Sequence, residues 1–118
     1  EGWYDCGKPE TLLETNRHLL ESGHGGVAPS ASVEGAELVE PVLIEDGAYV
    51  HGGRIGPNVT VGRGSRITDS RLRDVIVGDG STVDGADLHD SLLGSQVLVR
   101  GVKGRLSVAD HSEVSGDG

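Results

Sequence analysis

The sequence contains no phenylalanine, no methionine, one tryptophan and two tyrosines among 118 residues. Its core must therefore be assembled from Val, Leu, Ile and Ala, which suits a narrow, regularly layered architecture better than a globule with irregular gaps to fill. Cys6 is the single cysteine, so no internal disulfide forms, in keeping with a reducing cytoplasm. No apolar run approaches the roughly 20 residues of a membrane span, and the opening EGWYDCGKPE lacks a signal-peptide pattern. Positive charge is scarce too: ten Lys and Arg stand against nineteen Asp and Glu, a net charge of -9. Such a chain repels phosphate backbones and anionic lipid, which argues against nucleic-acid and membrane partners. The length suffices for one domain with a modest core. A first residue of Glu1 rather than Met leads to the expectation of a piece of something longer.

What the sequence does have is glycine, 20 residues of it, and a repeat. Residues 1–24 stand apart from the repeat. Pro9 sits where a helix can begin at no cost. Leu12, Leu13, Asn16, Leu19 and Leu20 follow at helical spacing, with Glu10, Glu14 and Glu21 on other faces. Gly23, Gly25 and Gly26 then end the pattern. The spacing predicts an amphipathic helix over Pro9–Glu21.

From Val27 onward three aliphatic registers keep step. Val27, Ile44, Val61, Val77 and Leu93 are spaced 17, 17, 16 and 16 residues apart, and Val33, Val50, Ile67, Val83 and Val99 repeat the same spacings. Leu38, Ile55, Leu72 and Leu88 form the third. Constrained residues, mostly small, follow at fixed offsets: Ala31, Ala48, Ser65, Ser81 and Val97 after the first register, and Ala36, Gly53, Ser70 and Ala86 after the second. Four residues after the third come Val42, Val59, Ile76 and Leu92, read as equivalent positions of successive repeats. Gly47, Gly64, Gly80 and Gly85 fall where a tight corner needs a positive φ. Each repeat is thus three short strands and three corners, with the large aliphatic inward. Neighbouring coils must stack to bury that face, so the pattern predicts a β-solenoid of about five coils.

The stretches Ile44-Glu-Asp-Gly-Ala-Tyr, Val61-Gly-Arg-Gly-Ser-Arg and Val77-Gly-Asp-Gly-Ser-Thr resemble the hexapeptide repeat of left-handed parallel β-helices. The left hand is implied by that resemblance, not by the period. The segment Gly2-Trp-Tyr-Asp-Cys-Gly-Lys-Pro-Glu-Thr-Leu-Leu-Glu-Thr-Asn-Arg resembles the last catalytic-domain segment of sugar-1-phosphate nucleotidyltransferases, and among them the long-form glucose-1-phosphate thymidylyltransferases, which append a β-helix. Val108-Ala-Asp-His-Ser-Glu-Val is similar to the end of those β-helices. The resemblance implies two parts: 1–26, the last segment and helix of the catalytic domain, and 27–118, a left-handed parallel β-helix. It implies a mainly β chain preceded by one α-helix.

The resemblance also implies site residues. The aspartate matching Asp5 helps hold the catalytic Mg²⁺, and Trp3 is a candidate for the sugar-nucleotide pocket. The family's second metal-binding aspartate and its Gly-rich nucleotide loop have no counterpart here, and Cys6 stands where Thr is usual. One carboxylate does not make an Mg²⁺-phosphate site. No catalytic residue is therefore expected within this stretch, which would be inert alone and bind no cofactor.

Histidines raise a different reading, since acyltransferases of this fold use a coil histidine as general base toward an acyl-coenzyme A. His51 and His89 each follow an inward aliphatic, Val50 and Leu88, and so should point outward. His51 falls in an exterior column with Glu34, Thr68, Asp84 and Arg100, a solvated ladder of mixed charge. The paired zinc histidines of β-helical carbonic anhydrases need His-x₄-His, a spacing absent here. The function expected is that of the assembly and regulatory β-helix of an enzyme that makes a nucleoside-diphosphate sugar, dTDP-glucose by the resemblance, and pyrophosphate from a nucleoside triphosphate and a sugar 1-phosphate. The alternatives are a hexapeptide-repeat acyltransferase and a scaffold without chemistry. A homotrimer is expected, with Val39, Leu43, Leu98 and Val102 supplying apolar outer surface, the N-terminal helix capping one end and the polar tail Ser112–Gly118 blunting the other.

Overall fold

The computed structural model of the chain describes residues 14–16, 18, 20, 23 and 25–116. Trp3, Asp5, Cys6 and the beginning of the Pro9–Glu21 helix lie outside the described residues. Within them, 14–16 and 18 are helical. Gly23 and Gly26, at φ of 94° and 136°, take backbone conformations that suit the change from helix to strand.

The rest is a parallel β-solenoid of about six turns. Residue pairing fixes its three sides. On the first side Val27, Ile44, Val61, Val77, Leu93 and Val108 stack rung on rung. On the second, Val33, Val50, Ile67, Val83, Val99 and Val114 do so. On the third, Leu38, Ile55, Leu72, Leu88 and Gly104 do so. All these pairings are parallel, as they must be when each strand meets its own successor one turn later. Six rungs separated by about 4.8 Å give a prism about 24 Å tall.

The inward stacks make one core. Ile44, Val50, Ile55, Val59, Val61, Ile67, Val83 and Val99 are all fully buried. Within the core cluster sit Ala48 and Ala86 at corners, and Val97 takes the position of Ala48 in a later turn. The expected positive φ is found at Gly47, Gly64, Gly80 and Gly85, at 71°, 66°, 66° and 61°.

Four expectations are corrected. The solenoid has a sixth rung, because Val108 and Val114 continue the first two registers at a shortened spacing of 15 residues. The same strand, Glu113–Ser115, occupies what was expected to be a polar blunting tail. The inward partners of Val42 and Val59 are Val75 and Ser91, not Ile76 and Leu92, which lie one position outward beside Leu43 and Thr60. The corner between third and first sides loses one residue on passing from Pro57-Asn58 to Asp74, which moves every later position in that stretch by one. Finally, Thr60 Oγ1 donates a hydrogen bond to Asn16 Oδ1. Thr60 lies outward on the third rung, so this part of the helix rests against a flank of the solenoid rather than over its open end.

Candidate functional site

Because side chains alternate along each strand, every outward residue stacks with its counterpart one turn away. The outer surface is therefore a set of columns, and their content decides what each side can do. On the first side Leu43, Thr60, Ile76 and Leu92 form one column. Asn16 meets it at Thr60, and Leu20 of the same segment is buried.

The second side carries two columns. Glu34, His51, Thr68, Asp84 and Arg100 stack as the sequence suggested. Thr68 Oγ1 donates to Asp84 Oδ1 at 2.9 Å. His51 is exposed, and its ring stacks on Tyr49 with centroids 6.1 Å apart and planes 9° apart. The Arg66 guanidinium lies 5.3 Å from the centroid of the same Tyr49 ring, a surface cation–π contact. His111 takes a φ of 62° and donates its backbone N–H to the Ser95 carbonyl at 2.9 Å. The equivalent bonds one and two turns earlier start from Gln96 and Gly80. His111 thus fills a turn position where other coils place glycine or glutamine.

The third side is different. Glu37, Arg54, Arg71, Asp87 and Lys103 form one column, and Arg73 stacks on His89 beside it. Arg54, Arg71 and Arg73 line an open groove of about 390 Å³ with Gly56, Pro57, Asp87 and His89. Arg54 makes a loose contact with Glu37 at 3.9 Å, both side chains being largely exposed. His89 Nδ1 lies 3.0 Å from Asp90 Oδ2. Among the described residues, Arg71 and Arg73 have no side-chain hydrogen bond or ion pair. Sequence reading did not single out these arginines, although eight of the ten basic residues are Arg. Stepping one residue either side of the third register would have found them.

Trp3 and Asp5, the residues expected at a site, lie outside the described residues, and His51, His89 and His111 are held apart on separate columns and corners. Among the described residues no group of three or more His, Cys, Asp or Glu is placed to hold a metal ion. None of the helices among them is long and apolar enough to cross a membrane.

Two curated proteins match parts of the chain. A probable mannose-1-phosphate guanyltransferase of Schizosaccharomyces pombe is 40% identical over 62 residues, covering 51% of this chain and 15% of that protein. A glucose-1-phosphate thymidylyltransferase of Streptomyces griseus is 38% identical over 69 residues, covering 58% of this chain and 19% of that protein. The chain resembles a C-terminal hexapeptide-repeat β-helix of sugar-1-phosphate nucleotidyltransferases. It spans less than a fifth of the length of either relative. No family model matches the sequence. Among solved structures, a mutant perosamine N-acetyltransferase from Caulobacter crescentus, in complex with CoA and GDP-perosamine, aligns with 93% of this chain and 63% of that one. Its TM-score of 0.32 and identity of 18% are too low to carry an argument.

Proposed function

We propose that the chain is the C-terminal assembly and regulatory β-helix of an enzyme that joins a nucleoside triphosphate to a sugar 1-phosphate and releases pyrophosphate. The observation that supports this reading is the 40% and 38% identity to two proteins named for that class of reaction. Their names differ in both base and sugar, so they agree on the reaction and not on the product. The choice of dTDP-glucose rests on the likeness of the Trp3–Arg17 segment to the thymidylyltransferases, and the left hand of the solenoid on the likeness of its repeats to the hexapeptide family.

In this reading residues 1–26 close the catalytic domain and 27–118 form the β-helix. Trp3 would line the sugar-nucleotide pocket, and Asp5 would hold Mg²⁺ together with an aspartate of the catalytic portion. The described solenoid residues do not themselves fit a magnesium site, and no step of the reaction is assigned to them. The contribution of the solenoid is assembly, as a cytoplasmic homotrimer. Leu98 points outward and offers apolar surface for it, whereas Leu43 shares its column with Thr60, on which the helical segment rests, and Val102 packs against the core.

The test is to extend the reading frame upstream, express the longer protein, and measure pyrophosphate release from each nucleoside triphosphate with glucose 1-phosphate and mannose 1-phosphate. Release that depends on Mg²⁺ and is lost in Asp5→Asn supports the reading. An upstream sequence without a Gly-rich nucleotide loop, or no release with any pair, overturns it.

A further inference from the structure

We propose that the groove between Arg54, Arg71 and Arg73 binds the diphosphate group of a small phosphorylated metabolite. The site lies wholly within the solenoid, so it stands or falls independently of the nucleotidyltransferase reading.

The first argument is charge. The chain carries a net charge of -9, yet three arginines line this groove with a single acidic residue, Asp87, while Glu37 and Asp90 lie beside Arg54 and His89. Arg54 and Arg71 are partners on adjacent rungs, which puts their backbones about 4.8 Å apart. Arg73 is two residues along the strand from Arg71, on the same face, at about 6.6 Å. Like charges directly opposite one another destabilise a sheet. Glu37 relieves Arg54 only loosely, at 3.9 Å. Asp87 is the rung partner of Arg71 without forming an ion pair with it. A bound anion between the guanidiniums would remove that repulsion.

The second argument is shape and chemistry. A space of about 390 Å³ falls within the range of small-ligand pockets. The planar forks of Arg match phosphate oxygens in pairs, which a lysine cannot do. His89 lines the groove with its Nδ1 held 3.0 Å from Asp90 Oδ2. No aromatic side chain lines the groove, so a nucleobase would find no ring to stack on. Recognition should therefore reside in the phosphates. Two linked phosphates offer more oxygens to Arg54, Arg71 and Arg73 at once than a single phosphate does.

The experiment is isothermal titration of the whole chain with inorganic pyrophosphate at low ionic strength. One site is expected, with a Kd below about 1 mM, and inorganic phosphate should bind more weakly. The double variant Arg71→Gln/Arg73→Gln should lose about tenfold or more in affinity, while Arg63→Gln, in a different corner, should bind as wild type. Arg73→Lys keeps the charge but not the fork, and should weaken binding about threefold or more with its thermal melting unchanged. A nucleoside diphosphate in a parallel titration identifies the source. Affinity equal to that of pyrophosphate means that the diphosphate alone is read, and a higher affinity means that the attached group is held as well. Absence of binding at 5 mM pyrophosphate (about five times the expected Kd limit), or equal binding by wild type and the folded variants, overturns the proposal.

Discussion

The hydroxyl of Ser65 accepts the backbone N–H of Ser81 at 3.0 Å while donating to the Gly78 carbonyl at 2.7 Å, tying successive turns together inside one corner. Ser81 repeats the arrangement one turn later, accepting the Val97 N–H at 3.0 Å and donating to the Gly94 carbonyl at 2.8 Å. Both serines are fully buried. They are tolerated there because donor and acceptor capacity are both used. Ser81→Ala deletes both bonds and strands the Val97 N–H, so it should destabilise the chain by about 1–3 kcal/mol in a urea melt. Exposed Ser107→Ala should stay within about 0.5 kcal/mol. Equal midpoints for the two variants would mean that the serine ladder contributes nothing.

Two glycines with similar backbone angles should respond differently to the same substitution. A Cβ on Gly53, at φ of 81°, would lie 2.1 Å from the Ser70 carbonyl oxygen and 2.7 Å from its nitrogen. A Cβ on Gly64, at φ of 66°, would meet nothing within 4 Å. Gly64→Ala should therefore cost only the left-handed conformation, about 1–2 kcal/mol. Gly53→Ala also forces two backbones apart and should cost about 3 kcal/mol or more. Denaturant midpoints for the pair decide it, and equal losses would contradict the close approach of those two turns.

Inward and outward residues should part in the same way. Val83 is fully buried and Arg100, beside buried Val99, is exposed. Val83→Asp places an unpaired charge in the core and should unfold the chain, as should Val61→Asp. Arg100→Ser should change stability by no more than about 0.5 kcal/mol. A native circular-dichroism melt for Val83→Asp would refute the register.

The three registers were legible because a solenoid places the same position over itself every turn. Val50, Ile67, Val83 and Val99 are equivalent in space as they are in sequence. The misreading of Ile76 and Leu92 has a physical cause. At 75–76 both residues are aliphatic, so hydrophobicity gives no preference between them. At 91–92 it points the wrong way, since Ser91 is buried and Leu92 only partly so. Ser91 can be inside because its hydroxyl donates to the His89 carbonyl and accepts the Leu106 N–H, both at 2.9 Å. Such bonds between turns cannot be read before the register is known. The arginine groove was hidden for the related reason that Arg54, Arg71 and Arg73 become neighbours only once the rungs are aligned.

His51 and His111 should be silent in any acyl-transfer chemistry. His51 stacks on Tyr49 on one side of the solenoid, and His111 occupies a turn with φ of 62°. Neither is held against a group that would make it a general base. Calorimetry with coenzyme A, whose diphosphate suits the arginine groove, should give the same affinity for wild type, His51→Ala and His111→Ala. Weakening in either variant, or acetyl transfer to an amino sugar by the chain, would restore the acyltransferase reading.

Assembly is the contribution proposed for this solenoid, and sedimentation equilibrium of the chain at several concentrations tests it most directly. Association toward a trimer of about 37 kDa is expected, three times the chain mass of 12.2 kDa, with apolar surface around Leu98 covered in the oligomer. A mass that stays at 12.2 kDa across the concentration range would contradict it.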